Sequence, residues 1–201
     1  MSPGSNPAKL DFRPLFSSDE LKDFNCGVEE MDSFIHEKLN DSISGGYCKA
    51  FVVLEENSVV AFYALNFDAL ILDEDDKEDL KSFNHVGVKG EYAELFWDKL
   101  HYPALEISYL AVLKGKRRQG IGRLILSEIY RKATTQDLAG CQFLTVEAYK
   151  RPSSPGREPY SAQGFYSKFG FSPVELPNPA KETVRMCLPL PVIQQPNTIQ
   201  E

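Results

Sequence analysis

The chain has 201 residues, 42% hydrophobic and 25% charged, which suits one folded core and excludes both a chain disordered throughout and two large independent domains. Its 22 basic and 29 acidic residues leave a net charge of −7, of which the run 73–79, with six acids and one lysine, carries −5; such a surface repels nucleic-acid backbones outside any local basic patch. The longest apolar runs fall far below the roughly 18 residues that span a bilayer, and the small polar start at 1–6 lacks the pattern of a secretory leader, so a cytoplasmic protein without a membrane partner is expected.

Residues 9–16 read as a short strand stopped at Pro14, after a disordered start at 1–8. Val28, Met31, Phe34, Ile35, Leu39 and Ile43 fall at helical spacings and Gly45-Gly46 ends the run. Two β-branched and aromatic segments, 49–54 and 59–66, flank the polar Glu55-Glu56-Asn57-Ser58 and predict an antiparallel hairpin. The stretch 67–103, with the acidic run and the aromatics Tyr92, Phe96, Trp97 and Tyr102, reads as an insertion over one end of the sheet. A near-continuous apolar segment at 105–113 predicts a central strand buried on both faces. A basic turn at 114–119 then leads into a helix marked by Ile121, Leu124, Ile125, Ile129 and Ala133.

A strand at 143–148 is followed by a proline-rich loop, a short helix with Ala162, Phe165, Tyr166 and Phe169 on one stripe, and Gly170 as its cap. Residues 171–174 and 184–188 predict a closing strand pair, and 191–201 a flexible tail. Cys26, Cys48, Cys141 and Cys187 are widely spaced, without CxxC or a histidine pair, and read as reduced, buried thiols. The order predicts a single α/β (α+β) domain over 9–190 with a mixed, mostly antiparallel sheet of about six or seven strands flanked by helices.

The segment Leu110-Ala111-Val112-Leu113-Lys114-Gly115-Lys116-Arg117-Arg118-Gln119-Gly120-Ile121-Gly122-Arg123 carries the chemistry. A helix that starts directly after a buried strand leaves its first amides without acceptors at the positive end of its dipole, a natural seat for phosphate oxygens. Gly120 and Gly122 allow close approach, and Lys114, Lys116, Arg117, Arg118 and Arg123 supply positive charge. Read alone, the glycines need only begin a helix and the cations need only be solvated. The turn is neither GxxxxGK with Ser or Thr, nor GxGxxG.

Arg117-Arg118-Gln119-Gly120-Ile121-Gly122 resembles the acyl-CoA loop of the GNAT superfamily of N-acetyltransferases, Gln or Arg, two residues, Gly, one residue, Gly or Ala. Leu110-Ala111-Val112 resembles the end of that family's splayed central strand, and Ala162-x-x-Phe165-Tyr166-x-x-Phe169-Gly170-Phe171 its later signature. The resemblance implies acetyl-CoA as acyl donor, held by Leu110, Ala111, Val112, Arg117, Arg118, Gln119, Gly120, Ile121, Gly122 and Arg123, with no metal. Two departures stand out: a long 148–161 connection, and Tyr149-Lys150 where an asparagine is often found.

A primary amine of pKa about 10 must lose a proton before it attacks a thioester. Glu106 shares a strand face with Ser108 and Leu110 and resembles the strand base of some members, although a salt-bridged strand-end carboxylate reads equally well. Tyr166 matches the family's general acid for the departing thiolate, a role compatible with packing its ring in the core. His36, His85 and His101 are isolated, and neither HExxH nor GxSxG occurs.

The leading expectation is direct acetyl transfer to a small-molecule or peptide amine. A second arises because Phe24-Asn25-Cys26-Gly27-Val28-Glu29-Glu30-Met31-Asp32-x-Phe34-Ile35 resembles the opening of GNAT toxins that acetylate aminoacyl-tRNA and pair with an antitoxin. Nucleic acid is expected only under that reading. A third, of another class, is a non-catalytic acyl-CoA-binding module. A homodimer is compatible with each.

Overall fold

A computed structural model of the chain describes residues 9–82, 98–152, 158–174 and 180–191. The termini 1–8 and 192–201, for which disorder was expected, lie outside these residues. The strands are β1 (Leu10–Pro14), β2 (Lys49–Glu55), β3 (Ser58–Ile71), β4 (His101–Val112), β5 (Phe143–Arg151), β6 (Tyr160–Ser161), β7 (Ser172–Pro173) and β8 (Thr183–Pro189). Among the described residues they form one mixed sheet in the order β1-β2-β3-β4-β5-β8-β7, with β6 on β5 outside that path. The chain divides into two units, 1–66 with 107–126, and 67–106 with 127–201.

In the first unit β1 pairs antiparallel with β2, from Leu10 opposite Glu55 to Pro14 opposite Phe51. The predicted β2–β3 hairpin closes on a two-residue turn, with Glu56 and Asn57 at φ 50° and 66°, left-handed values that match the twist of the flanking strands. Val52, Val53, Ala61 and Phe62 are fully buried, as are Leu21 and Leu39 from the segment between β1 and β2.

The predicted helix there is interrupted. α1 (Glu29–Ser33) passes into a π-helical turn (Phe34–Lys38) and then α2 (Leu39–Ser44). Phe34, Ile35 and Leu39 are buried as expected, but Ile43 is 37% exposed. One extra residue in a turn rotates every later side chain by about 100°, which carries Ile43 off the stripe.

In the second unit β5 pairs antiparallel with β8 from Phe143 opposite Pro189 to Tyr149 opposite Thr183. The expected closing pair is present, with Ser172 opposite Cys187 and Pro173 opposite Met186. Leu70, Leu72, Tyr102, Ala104, Phe143 and Cys187 form a core cluster, in which Tyr102 meets Phe143 edge-on at 5.6 Å. β3 continues to Ile71, beyond the expected end at Asn66, and β4 starts at His101, so Tyr102 is a core strand residue. The acidic run folds as the start of α3 (Glu74–Ser82), where the Asp73 carboxylate accepts the Asp76 amide at 2.8 Å, a side-chain cap of the kind that initiates helices. Tyr92, Phe96 and Trp97 lie outside the described residues.

β4 and β5 run parallel, and their ladder covers only Ala104 to Glu106 against Phe143 to Thr145. β4 runs on for six residues past that ladder, consistent with the splayed strand the resemblance implied. α4 (Ile121–Thr135) buries Ile121, Ile125, Leu126, Ile129 and Ala133, while Leu124, placed on the same stripe by spacing, is 52% exposed. The long connection after β5 is in part a hairpin, with Lys150 opposite Ser161 and Arg151 opposite Tyr160. It leads into α5 (Gln163–Ser167). Cys26, Cys48, Cys141 and Cys187 are free thiols, but the burial expected of all four holds only for Cys26 and Cys187; Cys48 and Cys141, which flank strand ends, are half-buried. No described helix is long and apolar enough to cross a membrane.

Candidate active site

After β4 the chain makes a tight turn at Lys114–Lys116 before α4. Backbone bonds fix its entry: the Leu113 amide donates to the Val60 carbonyl and the Lys114 amide to the Asn25 carbonyl, both at 2.9 Å. Arg117 is extended, Arg118 has φ 63° and Gly120 φ 85°. These two left-handed residues reverse the chain so that α4 starts at once. Leu124 is the first residue whose amide reaches back, to the Gly120 carbonyl at 3.1 Å, so the amides of Ile121, Gly122 and Arg123 have no helical acceptor.

A β-carbon placed on Gly120 would meet nothing within 4 Å, so the helix entrance is open where the amides converge. Arg118, Gln119, Gly120 and Arg123 are exposed and Arg117 is half-buried. Gln119 donates to the Gly115 carbonyl at 3.3 Å, within the turn itself. Ala111 and Ile121 are buried, and Leu110, Val112 and Gly122 half-buried; of the predicted loop residues, the apolar ones anchor the backbone while the polar ones face outward. This donor set fits a diphosphate.

The loop rests on the segment that resembles the toxin opening. Both carboxylate oxygens of Asp32 accept backbone amides, from Cys26 at 2.7 Å and Gly27 at 3.0 Å. Gly27 has φ 74°, and a β-carbon there would lie 3.1 Å from Lys114 Cδ. Cys26 is buried, its thiol pushed up to about 11 mainly by burial, with Arg117 pulling the other way. Phe34 stacks on Tyr109 of β4 at 3.5 Å.

In the second unit, Tyr166 sits on α5 and is 5% exposed. Its ring meets Phe165 at 5.0 Å and Phe171 at 5.5 Å, both edge-on. Its carbonyl accepts the amides of Phe169 and Phe171, which, with Gly170 at φ 116°, closes the helix. Burial, reinforced by Tyr160, raises the phenol well above its ordinary pKa, so it stays protonated at neutral pH. Phe165, predicted on the same buried stripe, is 36% exposed; a helix of five residues has one inward position, and Tyr166 takes it.

Glu106 is half-buried on β4, in register with Thr145 of β5. Beside it runs a polar row that sequence spacing did not reveal. The fully buried Thr145 hydroxyl donates to Asp68 at 2.5 Å, and Arg185 donates to Asp68 at 2.7 Å and to Glu147 at 3.2 Å. The partners come from β3, β5 and β8; the usable signal in the sequence was the polar alternation Thr145, Glu147 within an apolar strand.

The profile of the acetyltransferase (GNAT) domain matches residues 46–173, which hold the loop, Glu106 and Tyr166. The chain belongs to the GNAT acetyltransferase family. No curated protein matches the sequence. Solved structures similar in fold include one described as a bacterial toxin, at 18% identity and TM-score 0.64, covering 91% of this chain and 92% of that one. AtaT complexed with acetyl-methionyl-tRNAfMet matches at 18% identity and TM-score 0.61 over 90% of this chain and 95% of that one. A mutant AtaT bound to acetyl-CoA and the C-terminus of the antitoxin AtaR matches at 17% and 0.59 over 90% and 92%.

GNAT enzymes use acetyl-CoA as acyl donor, and membership makes acetyl-CoA-dependent acyl transfer the activity of this fold. The loop's open glycine, free amides and exposed arginines fit that ligand. The profile match begins at residue 46, so the Phe24 to Ile35 segment lies outside the part that defines the family.

Proposed function

We propose that the protein transfers the acetyl group of acetyl-CoA directly to a primary amine, with Glu106 as base and Tyr166 as acid. The observation that carries this reading is the open, amide-lined helix entrance after β4, followed along the chain by a tyrosine buried on a helix of the family's later signature. The first-turn amides of α4, with Arg117, Arg118 and Arg123, hold the diphosphate. The backbone of Leu110, Ala111 and Val112, past the end of the β4–β5 ladder, pairs with the pantetheine arm.

The chemistry balances without a covalent enzyme intermediate. Glu106 takes a proton from the ammonium, directly or through water; the freed nitrogen lone pair then forms the new bond to the thioester carbon, and the second proton leaves to solvent as the amide forms. The carbon–sulfur bond breaks with its electron pair on sulfur, and the Tyr166 hydroxyl donates to that sulfur. Solvent resets both groups.

The acceptor is a small-molecule or peptide amine, supported by the acidic chain, whose −7 net charge favours cationic ligands over RNA. A second acceptor, the α-amine of an aminoacyl-tRNA, is favoured by the toxin-like Phe24 to Ile35 segment and by the fold shared with AtaT over nearly the whole chain. Thiol release from acetyl-CoA across a panel of polyamines, peptides and amino-acid amides tests the first. Labelled acetyl transfer to charged tRNA tests the second. Thiol release with panel amines and no label on tRNA supports the first reading, the reverse pattern the second, and inactivity in both removes the assignment of an amine acetyltransferase.

A further inference from the structure

We infer that Glu55 and Asp32 are positioning residues that set the acetyl-CoA loop in its binding geometry before the ligand arrives. The inference rests on the loop being the diphosphate seat, as proposed above.

Glu55 ends β2 and its side chain makes an ion pair with Lys116, in the middle of the loop. The two side chains are only 18% and 35% exposed. Glu55 has little freedom to follow a moving loop, because it is held in register with Leu10 on one side and Ser58 on the other. It therefore fixes the place of Lys116, and with it the backbone that leads to Arg117 and Arg118. Among the described residues Arg117, Arg118 and Arg123 make no ion pair, so these three arginines remain available to phosphate.

Asp32 acts at the loop's other support. Its carboxylate holds the Cys26 and Gly27 amides, the turn so held offers the Asn25 carbonyl to the Lys114 amide, and Gly27 leaves just enough room for the Lys114 stem. The toxin-like segment thus acquires a physical task in the cofactor half of the protein. That task is independent of which amine is acetylated.

The sign of one effect separates this from the simplest alternative. A carboxylate near a diphosphate seat repels it, so if Glu55 only contributed charge, Glu55→Gln would tighten coenzyme A binding. Preorganisation predicts the opposite. Calorimetric titration of the full chain with coenzyme A should show about five- to tenfold weaker binding for Glu55→Gln and for Lys116→Gln. The double variant should be no weaker than either single one, and Lys116→Arg, which keeps the pair, should restore wild-type affinity. Acetyl-pantetheine, which lacks the diphosphate, should bind all of them equally.

Tighter or unchanged binding by Glu55→Gln, or additive losses in the double variant, overturns the role of Glu55. Asp32→Asn should weaken coenzyme A binding while its circular dichroism matches wild type; unchanged affinity removes Asp32. If the wild-type chain itself fails to bind coenzyme A, the proposed cofactor seat falls rather than the positioning of its loop.

Discussion

The loop between β4 and α4 and the polar row on β3, β5 and β8 are fixed by different means. The loop is shaped by main chain: amide-to-carbonyl bonds at Leu113 and Lys114, two left-handed residues, and a helix that begins without a gap. The row is shaped by side chains, Thr145 and Arg185 converging on Asp68 from strands 77 and 117 residues away. A backbone-built seat tolerates many side chains but favours glycine where the chain turns left-handed, as at Gly120. A side-chain-built row has no such dependence, yet each member leaves a partner stranded when removed.

The largest effect should therefore come from a backbone change in the loop. Gly120→Glu places a side chain at φ 85° and a carboxylate in the open space beside the amides. Coenzyme A affinity should drop by more than about a hundredfold, combining backbone strain and repulsion, as read by calorimetry. Full affinity in that variant would mean the ligand is held elsewhere.

Next in size is Tyr166→Phe. Removing the hydroxyl should slow turnover by about a hundredfold and leave coenzyme A affinity unchanged, because the ring and its contacts with Phe165 and Phe171 survive. Since burial raises the phenol's pKa, its acid form persists to higher pH than for a free phenol, and the wild-type rate should show no alkaline decline before about pH 10. Unaltered turnover in the variant would remove the acid role.

In the polar row, Arg185→Met should cost about 1–3 kcal/mol of stability, because Asp68 and Glu147 lose their cation in a half-buried setting. Thermal unfolding measures it. The loop should be spared, so coenzyme A affinity measured below the unfolding transition should match wild type; a matching fall in affinity would erase the contrast between the two regions.

The smallest effect belongs to a surface device in the first unit. Glu20, which caps a short turn together with Ser17 and pairs with Arg13, is held near pKa 2, chiefly by the Arg13 hydrogen bond and then by the Phe16 and Ser17 amides. A folded-state pKa below the ordinary 4.5 means the group contributes stability above about pH 4.5 and loses it as pH falls toward 2. Glu20→Gln should flatten that acid slope by no more than about 1 kcal/mol, measured as melting temperature against pH. An unchanged slope would assign the acid sensitivity to other carboxylates.

The contrast also explains what was legible in the sequence. The strand, the basic turn and the glycines of 105–122 are contiguous, and each obeys local backbone rules, so the loop could be read in place. The same holds for Tyr166 before Gly170. Asp68 and Arg185 carry no local mark, since their meeting depends on the sheet order β3-β4-β5-β8. The π-turn at Phe34–Lys38 was invisible because one added residue leaves the apolar spacing nearly intact. Asp32 was visible only as part of a resemblance; its grip on two amides needed the fold.

The proposed activity depends above all on the helix entrance after β4 receiving the diphosphate of acetyl-CoA. Backbone amide resonances of the labelled full chain, followed during a coenzyme A titration, address this directly. Saturable shifts centred on Gly120, Ile121, Gly122 and Arg123 are predicted, with little change at Thr145 or Arg185. A titration that leaves those four amides unmoved while others respond would contradict the account.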